Sequence, residues 1–186
     1  MPKPDSIALV AAAEVDGLES LLVGGNAVNL YAYRRTTFDV DLLVREREVA
    51  RWLSFFEQRG YEIFHRTPNF VRLRFAADPA QALPVDLMLV DEETFEKIRA
   101  QSQRREIGKG VALSVPAPLH LLAMKLHALK NQARFEDGVD FQDVIHLIRT
   151  AKIDIHSSEF LEIANHYGSE ATRTRIFREL ESESDS

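Results

Sequence analysis

The sequence predicts an α+β protein: a mixed sheet flanked by helices, followed by a helical C-terminal part. Two observations predict it. Up to Val115, short apolar runs that suit strands alternate with stretches of helical period. After Pro116 the strand-like runs stop and only the helical pattern continues. Pro116 and Pro118 suit a junction and a helix start. The expected organisation is an α/β domain over 1–115, a helical subdomain over 116–180 and a disordered acidic tail over 181–186.

In chain order, Ser6–Glu19 reads as a helix with Asp5 or Ser6 as its cap, and Leu21–Val23 as a short strand running into Gly24-Gly25. Asn26–Tyr33 follows as a helix and Thr37–Val44 as a strand. Glu46–Arg59 is amphipathic, with Val49, Trp52, Leu53 and Phe56 on one face. Tyr61–His65, Phe70–Phe75 and Val85–Val90 read as strands, Glu92–Gln103 as a helix and Val111–Val115 as a strand. The helical half comprises Leu119–Ala133, Phe141–Ala151, Ser157–His166 and Glu170–Leu180. The run from Glu179, ELESESDS, is the only biased segment and is expected to fray.

A length of 186 residues favours one domain, or one with a small helical annex. The absence of cysteine excludes disulfides and thiolate metal sites and fits a reducing cytoplasm. The first residues lack a signal-peptide pattern, and no apolar stretch approaches the roughly 18 residues of a membrane span. A net charge of −6 argues against sequence-blind wrapping of nucleic acid, although a local basic patch can still bind RNA.

The segment Leu21–Val44, LLVGGNAVNLYAYRRTTFDVDLLV, is the most informative. Strand alternation puts Arg35, Thr37, Asp39 and Asp41 on one side and Val40, Leu42 and Val44 on the other. Neighbouring carboxylates repel unless a cation sits between them. Hard divalent ions take such oxygens together with substrate phosphates. Taken alone, Asp-Val-Asp is more often a solvated strand face with scattered charge. Gly24-Gly25, at a strand end and a helix start, lets backbone N–H groups approach a phosphate, or is simply a turn. Asp86 interrupts the apolar run PVDLMLV, where an ionised carboxylate is expensive to bury without a partner. It completes a third carboxylate for the set, or is a hydrogen-bonded edge-strand residue.

Gly-Gly, a helix, Arg-x-Thr-x-Asp-x-Asp and a later strand Asp together resemble the DNA polymerase β-like nucleotidyltransferase superfamily. Within it they most resemble the small bacterial toxin–antitoxin and abortive-infection enzymes of the AbiEii type. The resemblance covers Leu21–Val90 and continues more weakly to Ile148. It implies a metal-dependent transfer of NMP from an NTP to a hydroxyl. Asp39 and Asp41 would bind two ions, Mg²⁺ or Mn²⁺. Asp86 would join them on the ion that activates the acceptor. Gly24 and Gly25 would hold the triphosphate, with Arg35 and Thr37 matching the toxin-like variant. Many relatives carry Gly-Ser at this turn, with the hydroxyl on phosphate. Here Gly25 is followed by Asn26, to which that contact would pass.

The second half echoes the same family. Lys125 in LLAMKLHAL is followed by Arg134 and then by Asp140-x-x-Asp143-Val144, with Asp137-x-x-Asp140 as an alternative register. Lys125 either snorkels to water or reaches the triphosphate. Asp140 and Asp143 either belong to the site or start the next helix. Arg72 and Arg74 share a strand face and read as surface charge. Arg104, Arg105 and Lys109 form the densest basic patch, either an RNA contact or a solvated turn. The acceptor implied is tRNA or another RNA, a cognate toxin or antitoxin protein, or a small molecule. The rival is a non-catalytic module that keeps the fold to bind a nucleotide or partner.

Overall fold

Asp5 accepts hydrogen bonds from the Ile7 and Ala8 amides and so starts α1, Ser6–Val15. At its other end, Gly17 adopts φ +73°. The Gly17 amide bonds the Glu14 carbonyl, and the Leu18 amide bonds that of Ala13. This left-handed cap stops the helix four residues short of the expected Glu19. In this computed structural model, residues 5–108 and 110–181 are described. Lys109, residues 1–4 and 182–186 of the expected acidic tail lie outside them.

The remaining elements are β1 (Leu21–Leu22), α2 (Gly24–Tyr31), β2 (Val40–Arg45), α3 (Val49–Glu57), β3 (Tyr61–Thr67), β4 (Phe70–Phe75) and β5 (Val85–Val90). Then come α4 (Glu92–Arg99), β6 (Gln103–Gly108), β7 (Val111–Val115), α5 (Pro118–Ala128), α6 (Gln132–Asp137), α7 (Val139–Thr150), α8 (Ser158–Tyr167) and α9 (Glu170–Glu181). The chain forms two compact units, one of residues up to 27 with 35–117, the other of 28–34 with the residues from 118 on.

In the first unit a five-stranded sheet runs β1-β2-β5-β4-β3. β2 and β5 are parallel, and the other neighbouring pairs are antiparallel. The sheet is therefore mixed. Val40, Leu42 and Val44 of β2 and Val85 and Leu87 of β5 are fully buried, as are Trp52, Phe56 and Phe95 of the flanking helices. Burying such side chains stabilises by about 1.5–3 kcal/mol each. β6 and β7 form a separate hairpin. At the end of β2, buried Arg45 meets Glu19 at 2.8 Å, Glu92 at 3.1 Å and also Glu96, and it lies 4.0 Å over the Phe95 ring. Burial pulls its proton affinity down, but the hydrogen bonds to Glu96 and Glu19 outweigh that and raise it.

The second unit is helical. Leu122, Leu126, Phe141, Val144, Phe160 and Ile176 are the centre of its core. α5 ends at Ala128, where one helix over Leu119–Ala133 was expected. The Asn131 side chain accepts from the Ala133 amide at 3.0 Å and starts α6 anew. α9 runs through Glu181, beyond the expected fraying from Glu179. No helix among the described residues is long and apolar enough to cross a membrane.

Candidate active site

The site forms where β1 turns into α2 beside β2. The Val23 amide donates to the Asp41 carbonyl at 2.9 Å, which fixes the turn against β2. Gly24 has φ +63°, and a Cβ there would lie 1.9 Å from Asp41 Oδ2. Only glycine suits both the backbone and the space. At Gly25 a Cβ would lie 2.7 Å from both Arg35 Nη2 and Thr37 Cγ2. The glycine pair thus brings the α2 N-terminus against the residues that precede β2. Its first N–H groups have no acceptor within the helix and favour an anion.

Asp39 stands just before β2, which begins at Val40 rather than at the expected Thr37. Residues 35–39 are not strand, so alternation does not place Arg35, Thr37 and Asp39. Side-chain bonds do it instead. Asn26 Nδ2 donates to the Asp39 carbonyl at 2.8 Å, and Thr37 Oγ1 donates to Asn26 Oδ1 at 2.9 Å. Asn26 and Thr37 therefore brace the loop that carries Asp39.

Asp41 and Asp86 are register partners across the parallel β2–β5 pair. Carboxylate oxygens of Asp39, Asp41 and Asp86 lie within 4.8 Å of one another. Two unit charges at that separation repel by roughly 3 kcal/mol at an effective dielectric of about 20, less where water reaches Asp39 and Asp41. This hard-oxygen donor set fits a divalent cation of the Mg²⁺ or Mn²⁺ kind.

Arg72, read from the sequence as surface charge, belongs to this cluster. It is the register partner of Asp86 across β4–β5. Its Nε meets Asp86 Oδ1 at 2.7 Å, and its Nη2 meets Asp86 Oδ2 at 2.6 Å and Asp39 Oδ2 at 3.2 Å. The bonds to Asp86 raise the proton affinity of the guanidinium, so it stays charged. The sequence held a signal for it: Phe70–Phe75 alternates, and buried Asp86 demands a partner. Arg74, on the same strand, pairs instead with Glu62 at 2.7 Å and lies 4.6 Å over the Phe64 ring.

Lys125, Asp140 and Asp143 form a second cluster, in the helical unit. Lys125 Nζ lies 2.6 Å from Asp140 Oδ1 and 2.7 Å from Asp143 Oδ2. Arg134 Nε meets Asp140 Oδ2 at 3.2 Å, and Tyr33 Oη donates to Asp143 Oδ1 at 3.3 Å. All three central residues are buried, with exposures of 8, 6 and 0%. Lys125 does not snorkel to water, and neither aspartate caps α7, whose cap position is Gly138. Arg104 of the basic patch pairs with Glu14 at 2.7 Å.

Alanine at position 24 is expected to destabilise the protein by about 1–2 kcal/mol from backbone strain alone. It is also expected to push the Asp41 carboxylate out of the cluster. A thermal melt reads the first effect and a Mn²⁺ titration the second. Unchanged values in Gly24→Ala would show that the turn relaxes freely.

No protein-family model and no curated protein sequence matches the chain. Solved structures do. An antigenic nucleotidyltransferase-like protein from Paracoccidioides brasiliensis is 19% identical, with 93% of this chain and 91% of that one covered and a TM-score of 0.55. The ANT(2'')-Ia structure in complex with adenylyl-2''-tobramycin is 13% identical over 90% of this chain and 94% of its own, at a TM-score of 0.62. The lincomycin-bound lincosamide antibiotic adenylyltransferase LnuA is 13% identical over 75% of this chain and 92% of its own, at 0.53. The mixed sheet with its flanking helices is therefore the nucleotidyltransferase fold.

Proposed function

We propose that the chain is a metal-dependent nucleotidyltransferase that moves NMP from a nucleoside triphosphate to an acceptor hydroxyl. The observation that carries this is the gathering of Asp39, Asp41 and Asp86 oxygens within 4.8 Å, beside a helix that starts on two glycines. Asp39 and Asp41 would hold two divalent ions, with Asp86 joining them on one. Bound there, such ions neutralise phosphate charge and lower the pKa of a coordinated hydroxyl. Gly24 and Gly25 let the positive end of α2, where phosphate would bind, pack against Asp41, Arg35 and Thr37. Arg35 and Thr37, both against Gly25, are the proposed side-chain contacts to it. Asn26 holds the Asp39 loop, so its contribution to phosphate is through the backbone. The acceptor oxygen would bond to the α-phosphorus as the bond to the β-phosphate oxygen breaks. Pyrophosphate leaves, and the hydroxyl proton passes to the carboxylate cluster or to water.

The AbiEii-type kinship belongs to this proposal and rests on the motif over Leu21–Val90. It makes tRNA or another RNA, or a cognate toxin or antitoxin protein, the acceptor in a cytoplasmic setting. The likeness to antibiotic adenylyltransferases adds a small-molecule hydroxyl. Incubation with each labelled triphosphate, Mg²⁺ and, in turn, bulk tRNA, lysate protein or an aminoglycoside separates these classes by the size of the labelled product.

The nucleotide site is testable without an acceptor. Mg²⁺ or Mn²⁺ with a triphosphate at about 100 times its Kd is expected to add roughly 2.7 kcal/mol of stability, read as a rise in Tm. If none of the four triphosphates moves Tm with either metal, the proposal falls.

A further inference from the structure

We infer that Arg72 is the built-in counter-cation of the aspartate site, one that a divalent ion must displace to reach the same oxygens. The inference rests on the metal-site reading above. Its ground is how the guanidinium is held. Arg72 engages both oxygens of Asp86, at 2.7 and 2.6 Å, and with the same Nη2 reaches Asp39 at 3.2 Å. A fork of this kind takes up the lone pairs that a metal ion would use. It also sets a positive charge against a carboxylate whose side chain is only 5% exposed.

The exposure of the two partners is unequal. The Arg72 side chain is 36% exposed, so its guanidinium has water to withdraw into, while the Asp86 carboxylate has almost none. Exchange therefore moves the arginine and leaves the carboxylate in place. The Lys125 cluster shows the contrasting case of an ion pair enclosed on both sides, with side-chain exposures of 10 and 8% for Lys125 and Asp140. That arrangement suits a permanent structural contact. The Arg72 arrangement suits a reversible one, positioned by its register opposite Asp86.

The test uses the full-length protein and Mn²⁺ alone, with free Mn²⁺ followed by electron paramagnetic resonance. Arg72→Met is expected to bind Mn²⁺ on the order of tenfold more tightly than wild type, because a competing cation is gone. Arg74→Met, which removes an equal charge from the same strand, is expected to bind as wild type does. In the wild type, the Arg72 Nε–H resonance is expected to shift or broaden as Mg²⁺ is added. Should Arg72→Met not fold, Arg72→Lys serves: it keeps the charge without the fork and is expected to tighten binding by a smaller factor. Mn²⁺ binding in wild type that stays equal or weakens in the Arg72 variants overturns this inference alone. So does an Arg72 Nε–H signal unmoved at saturating Mg²⁺. Absence of Mn²⁺ binding in every variant and in wild type at millimolar concentration overturns the metal-site reading, and this inference with it.

Discussion

Asp39→Asn is expected to lower nucleotidyl transfer on the order of 10³-fold, about 4 kcal/mol of barrier, while leaving the fold intact. The substitution keeps the shape of the side chain and removes one of three mutually repelling charges. It spares the local scaffold, because Asn26 grips the backbone carbonyl of residue 39, not its side chain. Arg72 keeps its two bonds to Asp86. The metal-free Tm is therefore expected to be unchanged or slightly higher. Labelled-triphosphate turnover and a melt in chelator-treated buffer check the two halves. A variant that unfolds in metal-free buffer would instead identify Asp39 as a structural hub.

The second large effect lies in the helical unit. Lys125→Met is expected to destabilise the protein by about 3 kcal/mol, since it removes the ammonium that two buried carboxylates share, with Arg134 on Asp140 and Tyr33 on Asp143 compensating in part. Methionine keeps most of the stem's volume, so lost packing contributes little. The penalty comes from uncompensated charge, and removing that charge is expected to relieve it. Lys125→Met combined with Asp143→Asn is expected to regain part of the lost stability, measured as a coupling energy in a double-mutant cycle. Additive losses would mean that the three residues do not act as one unit. Lys130, exposed and bonded only to the His166 carbonyl among its described contacts, is the control whose removal is expected to stay within about 0.5 kcal/mol.

Some of this was legible in the chain and some was not, for identifiable reasons. Gly24, Asp41 and Asp86 stood out because each is chemically out of place in its local run: a glycine at a helix start, a carboxylate among apolar strand residues. Local rules are enough to notice such conflicts. Arg72 raises no local conflict. An arginine alternating with Val71 and Leu73 is what any half-exposed strand shows, and its partner becomes visible only once β4 and β5 are in register. Asp140 and Asp143 were ambiguous for a similar reason, since acidic residues at a helix start have a local explanation that hides a distant lysine. The strand β6 was missed because Gln103–Gly108 is mostly polar and has an exposed hairpin as its setting, so hydrophobic period carries no signal there. The break between α5 and α6 lacks Gly and Pro and rests on one asparagine side chain.

Residues 28–34 belong with the helical unit, although more than eighty residues separate them from the rest of it. Tyr33 supplies a hydrogen bond to Asp143, and its ring lies 4.0 Å from that of His146. The helical half is thus not a contiguous module, and cutting the gene near Pro116 leaves 28–34 behind in the N-terminal fragment. A helical fragment made that way loses the phenol that meets Asp143. A recombination event that exchanged only the C-terminal half would inherit a foreign segment at 28–34. Any graft of a new helical half onto this scaffold must therefore carry a short piece of the N-terminal sequence with it, within ten residues of the glycine turn.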